Sequence, residues 1–231
     1  MSKRILLKLS GETLSSKDCS IDSNSLDSVA AEIGDALKTV PIELAIVVGA
    51  GNIWRGGQKS MDRVTADKIG MLATVMNALA LKSALINSGF KSQVFASKGL
   101  SAFVKDFDNE EAVKYLKEGY IVIFAGGTGS PFFTTDTGAS LRAAEIKADI
   151  ILKATQVDGV YSADPKKDSN AFKFDSLTYS QAIEKGLNIM DCEAFELCKK
   201  TEIPICVFNF HKKGNLKQII SGQNLGTVIS K

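Results

Sequence analysis

Short runs of β-branched and leucine residues alternate along the chain with longer stretches in which apolar residues recur every three to four positions. Residues 5–9, 42–48, 92–95, 121–125, 149–153, 205–209 and 227–230 read as strands. Several are apolar at consecutive positions, the pattern of strands covered on both faces. Residues 25–37, 64–87, 110–117, 137–147 and 192–200 carry the helical period. Asp191 stands where the last of these helices needs an N-cap, and Pro204 lies just past its end. The alternation predicts an α/β fold with a mostly parallel central sheet between helices on both faces. In such sheets ligands collect at the carboxyl ends of strands, so the loops that follow strands are the candidates for chemistry. Within 64–87, Ile69, Leu72, Met76 and Leu79, flanked by Met71 and Val75, make a wide apolar face. Core packing and a subunit interface both account for it.

Composition narrows the picture. With 231 residues, 45% of them hydrophobic, the chain is long enough for one sizeable core, and no Pro/Ser-rich or charge-rich stretch marks a linker. A single domain over residues 1–231 is expected. The 28 basic and 26 acidic residues leave a net charge of +2, so no strong field recruits nucleic acid or membrane. Lys8 interrupts the N-terminal apolar run early, unlike a signal peptide, and no bilayer-spanning run of uncharged apolar residues is seen. Cys19, Cys192, Cys198 and Cys206 show no paired metal spacing, and the one histidine, His211, has no cluster around it. Reduced thiols in a cytoplasmic protein are the expectation.

Four strand-to-loop junctions are rich in glycine, small hydroxyl residues and charge. The first is Lys8-Leu9-Ser10-Gly11-Glu12. Its glycine allows backbone amides to approach a phosphate, and its lysine supplies a mobile point charge. The second runs from Gly49 through Ala50, Gly51 and Arg55 to Gly57, and its arginine can fork onto phosphate oxygens. The third runs from Gly126 to Asp136, leading into a helix whose exposed amides and dipole favour anions. The fourth runs from Lys153 to Pro165. Each loop alone is ambiguous with an ordinary turn. Four together, two with strand-end lysines, favour a phosphate-rich ligand. The Walker A pattern, the dinucleotide fingerprint and the protein-kinase motifs are all missing.

Five blocks carry a resemblance: KRILLKLSGE (3–12), VVGAGNIWRG (47–56), DKIGMLATVMNALAL (67–81), the segment 126–165 containing GGTGSPFFTTD, and LTYSQAIEKGLNIMDCEAF (177–195). Through them the chain resembles the bacterial uridylate kinases of the amino acid kinase superfamily, from Lys3 to the C-terminus. PFFTTD is the block most specific to that family. The resemblance implies an N-terminal half that holds UMP and a C-terminal half that holds ATP. On the ATP side it implies Lys8, Leu9, Ser10, Gly11, Gly51 and Arg55 at the phosphates, with Thr155, Tyr161 and Asp164 around adenine and ribose. On the UMP side it implies Ala50, Asp67 and the run Thr128, Gly129, Ser130, Pro131, Phe132, Phe133, Thr134 and Thr135. Asp67 reads from the sequence as a surface charge in a helix's first turn; the resemblance gives it the ribose hydroxyls instead. Lys153 falls where a second cation faces the transferring phosphoryl group. It further implies Mg²⁺ with ATP, a homohexamer, and UTP as a feedback inhibitor. Ala50 stands where relatives have glycine. Residues 14–21 lack the glycines of relatives that respond to GTP, so GTP activation is not carried over, and the stretch 56–61 is short.

The acceptor so implied is a phosphate monoester with a second pKa of about 6, already ionised near neutrality and in no need of a general base. The obstacle is repulsion between two polyanions, answered by positioning and cations. Mg²⁺, Lys8, Arg55, Lys153 and loop amides can supply these. Asp136 and Asp191 are expected to hold lysines or a hydrated metal rather than face phosphate, and for Asp191 a plain helix cap is the competing account. The rival functions are phosphorylation of a carboxylate or carbamate within the same superfamily, and a non-catalytic nucleotide sensor.

Overall fold

The computed structural model describes every residue except Met1, residues 56–60, Lys98, Lys166, Ser169 and Asn188. The far end of the second glycine loop, Gly56 and Gly57, and nearly all of the short 56–61 stretch lie outside the described residues. Among the described residues nine strands form one sheet: β1 (Lys3–Leu9), β2 (Ile42–Val48), β3 (Ser92–Ala96), β4 (Lys105–Asp106), β5 (Ile121–Ala125), β6 (Ile150–Thr155), β7 (Ser176–Thr178), β8 (Ile205–Asn209) and β9 (Thr227–Ser230). Their order is β4-β3-β5-β2-β1-β6-β8-β9-β7, and every pairing is parallel except β8 with β9. The sheet is therefore mostly parallel, with β1 in its middle.

Seven helices among the described residues cover it: α1 (Ser23–Leu37), α2 (Arg63–Asn87), α3 (Asn109–Lys117), α4 (Thr135–Glu145), α5 (Tyr179–Glu184), α6 (Cys192–Thr201) and α7 (Asn215–Ile220). One core joins Ile5, Leu7 and Leu9 of β1 to α1, α2 and α7, while Leu6 belongs to a second core with α3, α4, α5 and α6. This is the expected period of two, and β1 is apolar on both faces because both are covered. The alternation has one consequence for chemistry. Lys8 lies on the same face as Leu6, and Lys153 on the same face as Ile151, so both lysines face the α4 side.

Local chemistry sets the ends of the helices. Asp22, Asp62, Asp108 and Asp191 cap α1, α2, α3 and α6 by accepting backbone N–H bonds. The helix read over 137–147 begins two residues earlier, because Thr134 caps it through Asp136 N and Thr137 N, and it gives way at Lys147, whose φ is 54°. The strand read from residue 149 starts at Ile150; just ahead of it Asp149 donates its N–H to Arg4 O at 2.8 Å and accepts the Arg4 N–H on its side chain at 2.6 Å. Beyond the expected elements stand β4, β7, α5, α7 and the 3-10 turn Gly11–Leu14, which at two to six residues are too short to show a period. Only α5 left a readable mark, the capping box between Thr178 and Gln181.

By length and composition α2 could cross a membrane. The sequence reading found no such run, because Lys68 and Lys82 break the apolar stretch. Its packing makes it a core helix: Ala73, Ala78, Leu81 and Leu85 are buried against the sheet. The opposite side carries Leu72, Met76, Leu79 and Ile86, each between 38% and 52% exposed. The apolar face read from the sequence is thus divided, with Val75 buried and Leu72, Met76 and Leu79 in a solvent-facing stripe.

Candidate active site

Lys8 and Lys153 are register partners on adjacent parallel strands, near the carboxyl ends of β1 and β6. Neighbouring strands run about 4.8 Å apart, so two ammonium groups on one face would repel strongly if nothing lay between them. Asp136, in the first turn of α4, lies between. Lys8 Nζ meets its Oδ1 at 2.8 Å and Lys153 Nζ meets its Oδ2 at 2.5 Å. Lys153 also donates to the Ile189 carbonyl at 2.6 Å. All three side chains are only 14–15% exposed.

Burial alone would push the Asp136 carboxyl up, but the two lysines outweigh it and hold the group below the ordinary carboxylate range. Burial, together with the Lys8 charge, pulls Lys153 below the ordinary lysine range, opposed by Asp136 and Asp191. The cluster holds two cations and one anion, an excess positive charge at the N-terminus of a helix. That is a place prepared for a polyanion.

Asp191 is a helix cap, the competing account given for it, and it also accepts from two threonines of α4. Its Oδ1 caps α6 through Ala194 N at 2.8 Å and accepts the Thr137 hydroxyl at 3.0 Å, while its Oδ2 accepts the Thr134 hydroxyl. Asp191 therefore locks α6 to the α4 N-terminus, and it reaches the lysines through space rather than by contact.

Clefts open on two sides of this cluster. One, of about 260 Å³, is lined by Ala50, Gly51, Asp67, Thr128, Ser130, Phe133, Thr134 and Thr135. It gathers seven of the ten residues expected at the acceptor. Gly129, Pro131 and Phe132 shape the loop behind it. Phe132, at φ 74°, turns its N–H onto Asp67 Oδ2 at 2.7 Å. Arg63, one helical turn earlier, takes both Asp67 oxygens at 2.8 and 2.7 Å. The other cleft, of about 580 Å³, is lined by Lys153, Thr155, Tyr161 and Asp164, together with Lys185 and Leu187.

The first two glycine loops meet between these clefts. Gly49 N donates to Leu9 O at 3.0 Å, so buried Leu9 takes part through its backbone. A Cβ on Gly11 would lie 2.2 Å from Asn52 Oδ1 and 2.7 Å from Gly49 O, so no other residue fits there. Ser10 opens the short 3-10 turn. Arg55 points to solvent, paired with Glu12 and held by Gly51 O at 3.3 Å, outside both clefts. The structure does not bring it to the lysines.

Arg63 and Trp54 also line the acceptor cleft, beyond the residues expected there. Arg63 was detectable from its spacing of four to Asp67 on a helix. Trp54 lines the acceptor cleft, with Nε1 buried and without a hydrogen-bond partner among the described residues. Nothing in its neighbours announced it.

Such a fold, with a lysine pair bridged by a carboxylate between two clefts, defines a phosphoryl-transfer class, and comparison gives it a name. The description of the amino acid kinase family matches residues 3–209, and the chain belongs to that family. Among curated proteins it is similar to the uridylate kinase of Brucella anthropi, 48% identical over 99% of this chain and 96% of that protein. Among solved structures it matches the UMP kinase of Bacillus anthracis with a TM-score of 0.95, at 38% identity over 99% of this chain and 96% of that one. It matches the UMP kinase of Ureaplasma parvum with a TM-score of 0.94, at 35% identity over the whole of both chains.

Proposed function

We infer that this protein is a UMP kinase, transferring the γ-phosphoryl group of ATP to UMP to give UDP and ADP in the synthesis of pyrimidine nucleotides. The observation that carries the reading is the Lys8–Asp136–Lys153 bridge, set between one small and one larger cleft. UMP phosphate enters from the cleft of Asp67 and Thr134, and ATP from the cleft of Thr155 and Tyr161. The two halves of the single domain thereby divide acceptor from donor. The lysines neutralise the phosphoryl group in flight, and Asp136 keeps both aimed. An acceptor already ionised at neutral pH needs no general base.

Mg²⁺ fits as a companion of ATP. Among the described residues no cluster of three His, Cys, Asp or Glu side chains could hold a metal; the Asp136 carboxylate is ion-paired with Lys8 and Lys153, and the Asp191 oxygens accept from protein donors. ATP phosphates and water would hold the ion, with Asp136 and Asp191 as carboxylates that could receive its bound water, and it would supply further charge neutralisation. The exposed apolar stripe of α2 supports self-association, which we assign to a homohexamer. Four free cysteines are in keeping with a cytoplasmic setting. Feedback by UTP fits a site that already accepts uridine nucleotides.

An ADP-release assay with Mg-ATP and, in turn, UMP, CMP, dUMP, aspartate and glutamate tests this reading. UMP should be the preferred acceptor, and Lys8→Ala should lower turnover by orders of magnitude while circular dichroism stays unchanged. Release with an amino acid but not with UMP overturns it.

A further inference from the structure

Asn77 of α2 is wholly buried, a place where an apolar side chain is the ordinary choice. Its Nδ2 donates to Gly49 O at 2.7 Å and to Asn52 Oδ1 at 2.8 Å. Asn52 Nδ2 returns a bond to Asn77 Oδ1 at 2.9 Å and gives another to Ser20 O at 2.6 Å. All four amide N–H groups of the pair are used, and the pair is self-complementary. A buried polar group without partners is costly, so this pair fixes its surroundings in one arrangement. The atoms it fixes are those that press on Gly11: Asn52 Oδ1 and Gly49 O are the two nearest contacts a Cβ there would meet.

Three residues earlier on the same helix, Thr74 accepts the Gly126 N–H at 2.8 Å and donates to Met71 O at 2.6 Å. The buried polar residues of α2, Thr74 and Asn77, thus hold the third and second glycine loops from one rigid element.

We propose that Asn77, acting through Asn52, is a positioning residue for phosphoryl transfer. It clamps the loop Gly49–Asn52 against Gly11, so that the backbone amides of both loops stand ready for the moving phosphoryl group. Asn77 touches no substrate, and it acts on the rate rather than on nucleotide affinity. The proposal rests on the UMP kinase reading for its activity readout and on the hydrogen-bond geometry for everything else.

The test compares wild type, Asn52→Ala, Asn77→Asp and the double variant Asn52→Ala/Asn77→Ala with its two single alanine variants. Asn52→Ala sits on a turn and spares the core should Asn77 variants fail to fold. We expect kcat per folded enzyme to fall about tenfold or more in Asn52→Ala, equivalent to about 1.4 kcal/mol. Both KM values should stay within about threefold, and amide exchange across residues 49–53 should quicken. Asn77→Asp, which turns a carboxylate toward two oxygens, should be worse. The double alanine variant should be no slower than its slower parent. An Asn52→Ala enzyme with kcat within about twofold of wild type, or losses that multiply independently, overturns the clamp. If wild type ignores UMP while exchange still quickens in the variants, the substrate reading fails and the clamp stands.

Discussion

Replacing Asp136 with asparagine keeps the shape of the side chain and removes the charge that separates Lys8 from Lys153. Both ammonium groups sit on the two oxygens of one carboxylate; taking them as about 5 Å apart, at an effective dielectric constant of about 20 their repulsion amounts to about 3 kcal/mol. The present exposure of 14–15% leaves little solvent to screen it. If that energy is felt in the transition state, kcat falls about 100-fold. The sign of the pH effect follows from the environment of Lys153. Burial and Lys8 already lower its pKa, and Asp136 is the first group opposing them. Without that carboxylate Lys153 loses its proton at lower pH, so the alkaline limb of the kcat profile moves toward neutrality. The ADP-release assay run from pH 6 to 10, with circular dichroism to confirm folding, reads both effects. A variant with kcat within about threefold of wild type and an unmoved alkaline limb would refute the charge-bridge argument. Stability offers a second check. Because the folded Asp136 pKa is depressed, its contribution is present above the ordinary carboxylate range and is lost as pH falls through the depressed value. Wild type and variant should converge in stability at acid pH.

Asp67→Ala removes the acceptor for Arg63 and for the Phe132 N–H. The apparent KM for UMP should rise about tenfold, the scale of one charge-assisted hydrogen bond, while that for ATP holds; weakening of ATP alone would reverse the assignment of the clefts. Gly11→Ala forces a methyl onto Gly49 O and Asn52, a backbone contact that cannot yield freely. A loss of about 1–3 kcal/mol is expected by thermal denaturation, together with a drop in kcat, and a variant as stable as wild type contradicts the predicted clash. Met76→Glu places a charge in the middle of the exposed α2 stripe, where Met76 is 52% exposed. Light scattering should then report a smaller assembly, and an unchanged mass would remove the stripe from any interface.

The layering of the fold and the glycine-rich loops after its strands could be read from the chain because both depend on neighbours in sequence. Leu6, Leu7 and Lys8 alternate across a strand whatever else surrounds them, aspartates and threonines before apolar runs cap helices, and glycines after strands permit tight loops. The bridge at the site was another matter. Lys8 and Lys153 are 145 positions apart. Only the parallel register of β1 with β6 sets them side by side, and only the crossing of α4 brings Asp136 between them. Arg55 shows the converse, since its place in a glycine loop suggested a phosphate ligand while the folded chain turns it to Glu12 and solvent. Asn77 reads as one polar residue in a helical stripe, and its meaning depends on Asn52 and Gly49 folding over it. Local order follows from steric and solvent preferences a few residues wide, whereas the charges and hydrogen bonds of the site depend on separations fixed by packing across the whole sheet.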